Sequence, residues 1–596
     1  MTSNKYKTIG ILKTPFKYAK NYAILIAIQK ILAGVVPTLQ VLTTAKFLDI
    51  AIDIVNKNRS FDEIFIPLGL ITLLLVYSLM SEKLFKFIDV KMEIDLREKL
   101  RACITEKRAK LKYSHIENSY TWDLISRVSK DPEIKYKEAY NDFLSMLALF
   151  IRIGGLLLVI FTHVWWSTVI ILLISVPLFK IALKNGKDNY EADREVSKYQ
   201  RKFDYLGEVL TGRESAEERT LFAYSKEINN KWKEQYEIAR KIEYKTDLKN
   251  FIRTWGSGVI TTIIAVAAVM ILLMPVQMKL LSIGLFISIA NGVFEITQMM
   301  SWQFTYYVEE LAKNKEYIAD FNEFFNLDET EGAIDKPSTN YIDFECLEFR
   351  NVSFKYPNTE NYILKNLSFI IKKGGHYAFV GVNGAGKTTI TKLITGLYDE
   401  FEGQIFINGI EIRKYKQSEL KSFCAVVYQD FAKYFISFKD NIALGNVNNM
   451  RNHNTEDKIK SCMDIMDLGD VANDLSDGIK TPLGKIKENG VDLSGGQWQK
   501  IGMARAINNN ASIRILDEPT SSLDPISENN IYERFEEISK GETTIFISHR
   551  LGSTKLASEI FVIDNGTIIE KGSHEELMNL GGVYETLYES QRSWYL

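Results

Sequence analysis

Cysteine is nearly absent. The 596 residues contain four, Cys103, Cys346, Cys424 and Cys462, and no two form a CxxC pair. That scatter excludes a disulfide framework and a cysteine-spaced zinc site, and it fits free thiols in a reducing compartment. An excess of charge of either sign is also missing. Lys and Arg number 73 against 75 Asp and Glu, a net charge of −2. With no concentrated basic face, a nucleic-acid partner is excluded. The second half lacks long apolar runs, whereas the first half is full of them, so a mean hydropathy near zero conceals two different chemistries. A chain of this length holds two or three domains.

A membrane-spanning helix needs about 20 largely apolar residues. Six stretches qualify, at roughly 21–51, 63–87, 142–162, 164–184, 254–274 and 279–303, with "IFIPLGLITLLLVYSLM" among the clearest. The third and fourth are joined by almost nothing, around Thr162 and His163, which predicts a tight hairpin. Lys5, Lys7, Lys13, Lys17 and Lys20 precede the first span and place the N-terminus on the cytoplasmic side; an even number of spans returns the second half there. The segment before the first span has no small-residue cleavage site and reads as an amphipathic helix on the inner face. Two charged stretches, about 88–141 and 185–253, are too long for simple connectors. Each reads as two spans continuing far into the cytoplasm, joined by a short turn helix. Tyr120, Trp122 and Phe222 at the tips favour docking on the second domain.

The predicted fold class is an α-helical six-span transmembrane domain with long cytoplasmic helix extensions, over 1–325, then a polar linker, 326–340, broken by Gly332 and Pro337, and an α/β domain built on a phosphate loop, 341–596. "HYAFVGVNGAGKTTI" gives the strand, Gly-rich loop and helix start that such a loop requires. Gly381, Gly384 and Gly386 let the backbone curl around phosphate oxygens, with Asn383 and Ala385 between them. Lys387 reaches the β and γ phosphates, Thr388 offers a hydroxyl to Mg²⁺, and Thr389 reaches an α-phosphate oxygen. "ASIRILDEPTSSLDP" contains an apolar strand, with Arg514 its odd member, ending in Asp517 for Mg²⁺; Glu518 follows to polarise the attacking water. His549 ends another apolar strand, "TTIFISHR", and Gln429 in "VVYQD" occupies the same place on a third, suited to Mg²⁺ or the water. Tyr356, in "FKYPN", is placed to stack on adenine.

A second Gly-rich helix start lies in "GVDLSGGQWQK". With the phosphate loop, Gln429, "ILDEPTSSLD" and "ISHR" in that order, "LSGGQ" makes the second half resemble the nucleotide-binding domain of ABC transporters, and the six spans make the whole chain similar to an exporter-type half-transporter. "YQDFAKY" and "LSGGQWQK" resemble the half-transporters that export lantibiotic-type peptides, although Trp498 stands where the family pattern has a basic residue. The resemblance implies ATP and Mg²⁺ as cofactors and a head-to-tail dimer with a second copy of the chain. Each ATP then lies between the phosphate loop of one copy and Ser494, Gly495, Gly496, Gln497 and Asp524 of the other. It implies ATP-driven export of a substrate, a peptide, across the cytoplasmic membrane. A lipid flippase, a multidrug exporter and one half of a heterodimer are the alternatives.

At about 100° per residue, Ser288, Asn291, Glu295, Gln298, Trp302 and Tyr306 share one face of the sixth span. Asn291, Glu295, Gln298, Trp302 and Tyr306 are the candidate wall of a cargo cavity. Glu295 either faces that cavity or forms an ion pair with Lys30 or Arg152.

Overall fold

The computed structural model describes residues 10–213, 215–278, 281–339, 343–450, 452, 455–485, 489–519, 542–547 and 553–592. The chain divides into two compact units that are not contiguous in sequence: Met1–Glu106 with Asp123–Asn326, and Lys107–Trp122 with Leu327–Leu596.

In the first unit, a short helix α1 (Gly10–Tyr18) leads into α2 (Lys20–Val55) and α3 (Phe65–Lys110). After the short helices α4 (Tyr113–Glu117) and α5 (Ser119–Ser129) come α6 (Pro132–His163) and α7 (Trp165–Thr211). The turn helix α8 (Ala216–Phe222), α9 (Ser225–Ile271), α10 (Leu273–Gln277), α11 (Ile283–Gln298) and α12 (Phe304–Asn326) complete the helical part. The first five apolar stretches fall on or at the ends of α2, α3, α6, α7 and α9–α10, and the described part of the sixth is helical from Ile283 to Gln303; α3, α7 and α9 run well beyond theirs. Among the described residues, Lys20–Val55, Phe61–Lys110 and Pro132–His163 are each long and apolar enough to cross a membrane. Where α3 leaves its apolar stretch, i,i+4 ion pairs such as Lys86–Glu82 (3.0 Å) and Arg97–Glu93 (2.8 Å) line its surface and support a polar helix. The hairpin expected at Thr162 and His163 turns at Val164, whose backbone leaves the helical region between α6 and α7.

Asp49 of α2 ties down the start of α11. It accepts from the Ser282 hydroxyl at 2.5 Å and from the Gly284 amide at 2.7 Å, while Ser282 caps the helix by accepting from Leu285 N. A Cβ at Gly284 would meet the Ala45 carbonyl at 2.4 Å, so only glycine lets α2 and α11 approach here. The wheel drawn for the sixth span breaks at Met299–Gln303, which is a π-helix. Its i→i+5 bonding advances each residue through a smaller angle, so Trp302 and Tyr306 lag the α-helical projection. Ser288 is buried, away from the exposed Asn291 and Gln298.

The second unit contains two sheets. An antiparallel sheet runs β2 (Leu364–Lys372), β1 (Cys346–Phe354), β4 (Glu402–Ile407), β5 (Ile410–Glu411). A second sheet has the order β10 (Thr567–Gly572), β9 (Glu559–Asp564), β3 (His376–Val380), β8 (Thr543–Ile547), β7 (Ile513–Asp517), β6 (Cys424–Val427), and it is parallel except for its β9–β10 edge. Side chains on β3 alternate between two cores, as strand geometry demands. Tyr377 and Phe379 join a phenylalanine-rich cluster, whereas Ala378 and Val380 join one containing Trp498. A parallel sheet covered on both faces needs such apolar strands.

Residues 327–339 do not hang free. Leu111 bridges Glu329, Lys107 Nζ donates to Leu327 O and to the Glu329 carboxylate at 2.7 Å each, and Lys421 Nζ donates to Ala333 O and Asp335 O. The polar composition of this stretch predicts a linker, and these bonds tie it to the second unit.

Candidate functional site

The phosphate loop connects β3 to helix α13 (Lys387–Ile394). Gly386 caps that helix at φ 103°, a left-handed conformation, and a Cβ there would meet Leu364 Cδ2 at 2.7 Å. Within the loop, Gly381 and Ala385 are buried, whereas Asn383 and Gly384 are exposed. Lys387 is buried and its Nζ donates to the carbonyls of Gly381 (2.8 Å) and Val382 (3.1 Å). Burial holds its ammonium below the usual range, with Glu518 and Asp517 pulling the other way. Thr388 is exposed, and Thr389 is buried with its hydroxyl 3.0 Å from the Tyr356 hydroxyl. Tyr356 is therefore half-buried and tethered.

Asp517 ends β7, opposite Ile547 at the end of β8, and Val427 at the end of β6 pairs with Leu516. Asp517, Glu518 and Gln429 thus gather at the C-terminal edge of the parallel strands, where ligands bind in sheets of this kind. Gln429 is exposed. Asp517 is 1% exposed. Burial pushes its carboxyl up to about 6; a hydrogen bond from Thr388 opposes this, the Glu518 charge adds to it, and Lys387 opposes it. Its Oδ2 is buried and has no hydrogen-bond partner among the described residues. An anionic oxygen aimed into the site beside a threonine hydroxyl is what a hard divalent cation takes up. No cluster of three acidic, His or Cys residues exists among the described residues, so such a cation would complete its shell with phosphate oxygens and water. Glu518 adopts φ 47°, a strained conformation for a non-glycine residue, and its amide donates to Ile547 O at 2.9 Å. His549 and Asp524 lie outside the described residues.

The second Gly-rich motif opens helix α14 (Gly495–Ile507) through a reciprocal cap. Ser494 Oγ accepts from Gln497 N, and Gln497 Oε1 accepts from Ser494 N at 2.9 Å. Ser494 and Gly495 are exposed, so the positive end of the helix faces outward. Trp498, the departure from the family pattern, is buried beneath this end. What packs on α14 is not legible in the sequence. Phe431 lies against Gly502, and Arg505 stacks over Tyr434 at 4.6 Å while donating to Asn441 O at 3.0 Å. The aromatic density of "FAKYFISF" was the only available signal.

In the first unit, Glu295 forms an ion pair with Arg152 of α6. Lys30, the other candidate partner, lies over the Phe85 ring at 4.3 Å instead. Trp302 meets Trp255 edge-on at 5.5 Å, and Trp302 and Tyr306 are both about half exposed. The aromatic tips Tyr120, Trp122 and Phe222 are also exposed, and Tyr113 is the aromatic that packs within the second unit, edge-on to Tyr398 at 5.7 Å.

A nucleotide-binding sheet in one chain with membrane-length helices makes this a membrane-embedded P-loop ATPase. Comparison gives the family. Residues 364–521 match the ABC transporter family model and residues 23–298 the ABC transporter transmembrane region. The Subtilin transport ATP-binding protein SpaT of Bacillus subtilis is 31% identical over 86% of this chain and 83% of its own length. The Nisin transport ATP-binding protein NisT of Lactococcus lactis subsp. lactis is 26% identical over 98% and 95%. An ATP-dependent lipid A-core flippase of Salmonella paratyphi A is 28% identical over 88% of each chain. A solved bacterial Atm1-family ABC exporter with ATP bound matches the fold with a TM-score of 0.74 at 20% identity, over 96% of this chain and 98% of that one. The chain belongs to the ABC transporter family: it is an exporter-type membrane protein whose ATPase drives transport.

Proposed function

We propose that two copies of the chain form a homodimer in the cytoplasmic membrane, with both termini cytoplasmic, and export an amphipathic peptide. The cargo reading is carried by the near full-length similarity to proteins named for subtilin and nisin transport. The orientation rests on the lysines ahead of the first span.

In this reading Tyr356 stacks on the base, and the amides of residues 381–386 surround the phosphates. Lys387 leaves the loop carbonyls it holds here and turns to the β and γ phosphates. Thr388, Gln429 and Asp517 would hold Mg²⁺, which neutralises charge developing on the phosphoryl oxygens. Glu518 orients and polarises the attacking water, while His549 contacts the γ-phosphate. Ser494, Gly495, Gly496 and Gln497 present an exposed helix N-terminus, and that supports their serving, with Asp524, the nucleotide held by the other copy. The γ-phosphate then joins both copies, and hydrolysis releases them, a two-state device biased by the nucleotide. Asn291, Glu295 and Gln298 line the cargo path in this reading, with Trp302 and Tyr306, turned from that face by the π segment, at its margin.

The test is ATPase stimulation of the purified protein in lipid nanodiscs. Cationic amphipathic peptides are expected to stimulate; lipid A and hydrophobic dyes are not. Stimulation by lipid A alone would favour the flippase reading, to which the 28% relative points.

A further inference from the structure

The segment Lys107–Trp122 belongs to the same compact unit as the nucleotide-binding sheets, although the chain on either side of it belongs to the other unit. Its last residue in α4, Glu117, meets two side chains from the nucleotide domain. One carboxylate oxygen pairs with Lys392 of α13, and the other accepts from the Tyr398 hydroxyl. Burial opposes a charge there, but the bonds from Lys392 and Tyr398 outweigh it and hold the Glu117 carboxyl below its usual range.

Lys392 is thereby held between two rings. Its Nζ sits 5.1 Å from the centroid of Tyr356 and 5.4 Å from that of Tyr113. Tyr356 is fixed on further sides by Phe354 (5.2 Å), Tyr398 (5.6 Å) and the Thr389 hydroxyl (3.0 Å). A cleft of about 380 Å³ opens beside it, lined by Ser114, Glu117, Asn118, Tyr356, Pro357 and Tyr398. A cation on one face of a ring draws the ring's negative face toward itself. The opposite face then repels an incoming π-system less, which favours stacking of an electron-rich purine. Without the Glu117 charge, Lys392 loses its ion pair and is held over the ring only by the rings themselves, with more rotamer freedom.

We infer that Glu117 is a positioning residue for nucleotide binding: through Lys392 it sets the base-stacking surface of Tyr356, so that the loop between α3 and α5 contributes to the affinity for ATP. Lys112 provides an internal control. It anchors the same loop through Asp399 at 3.0 Å, and its ammonium makes no cation–π contact among the described residues. The inference rests on the reading of Tyr356 as the base-stacking residue, and the experiment separates the two.

The measurement is KM for ATP and kcat of the full-length protein in nanodiscs. Glu117→Gln keeps the shape and removes the charge; it is expected to raise KM about three- to tenfold, the effect of losing one partly buried cation–π contact, with kcat at saturating ATP retained. Lys112→Ala should leave KM unchanged, and Tyr356→Ala should raise it at least as much as Glu117→Gln. A wild-type KM in Glu117→Gln, with a raised one in Tyr356→Ala, overturns the inference alone. A wild-type KM in Tyr356→Ala overturns the base-stacking reading and the inference with it. An equal rise in Lys112→Ala shows general loop docking and also overturns it. Should Glu117→Gln not fold, Lys392→Arg and Lys392→Gln decide: the arginine, which keeps charge and stacking, must hold the wild-type KM while the glutamine raises it. Equal values for the two refute the inference.

Discussion

The indole Nε1 of Trp498 donates to Asp492 Oδ1 at 3.2 Å, and the same oxygen accepts from the Leu493 amide at 3.1 Å. One buried ring thus anchors the two residues that lead into Ser494. Phe435 packs on Trp498 at 6.4 Å, which ties the stretch following Gln429 to the same anchor. Trp498 thus fills a buried position with a ring where the family pattern has a basic residue.

Trp498→Phe keeps an aromatic ring, though a smaller one, and loses the hydrogen bond. ATP turnover should fall about two- to tenfold, the worth of one such bond, with thermal stability lowered modestly by the space the smaller ring leaves. Asp492→Ala, which removes the acceptor, should behave alike. In a double-mutant cycle the pair should cost little more than either single change, because both remove one interaction. Additive losses would show that the two residues act separately.

Glu295 and Arg152 place opposite charges between α11 and α6. Glu295→Gln strands the guanidinium in a membrane-spanning helix, at a cost of about 2.5 kcal/mol or more. A lowered unfolding temperature in nanodiscs is expected, and adding Arg152→Gln should recover most of it. Failure of the double variant to recover would mean that the carboxylate acts through some other contact, such as cargo.

Glu518→Gln should abolish turnover by about 10²–10⁴-fold while ATP still binds, because the amide keeps the size but cannot polarise water. Single-turnover hydrolysis and nucleotide trapping separate the steps. Retained turnover would remove Glu518 from the chemistry.

Asp517 gives a pH dependence. Its carboxyl, buried and raised to about 6, is protonated below that pH and ionised above it. A raised carboxyl favours the folded protein while protonated, so this contribution declines as pH rises from the ordinary carboxylate range to about 6. Cation binding needs the ionised form. The affinity for ATP with magnesium should therefore rise through about pH 6 and level off above it. The same titration without magnesium carries only the nucleotide's own ionisation and should lack the additional slope. Parallel profiles would exclude Asp517 as the metal-side carboxylate.

Complementation tests the dimer. In a linked dimer with Lys387→Ala in one copy and Ser494→Arg in the other, the reading in trans puts both lesions on one nucleotide site and leaves one intact. Such a dimer should bind ATP at one site, whereas each mutant homodimer has none. Binding no better than in the homodimers would refute action across the interface.

Local sequence was enough for much of this protein. The phosphate loop, the acidic strand end and the capped glycines at Ser494 are each contiguous, and their chemistry follows from backbone geometry within a few residues. The membrane helices follow from apolar length alone. What spacing cannot supply is the rotation and register of one long helix against another. Packing decided that Arg152, not Lys30, faces Glu295, because the carboxylate pairs only with the cation its helix face presents. A π segment at Met299–Gln303, invisible to a helical wheel, turned Trp302 and Tyr306 out of phase with Asn291. Glu117, within the charged stretch 88–141, acquires its partners from residues 275 and 281 positions away, Lys392 and Tyr398. Contacts over such separations depend on where the tertiary fold places each loop, and no local pattern of residues encodes that.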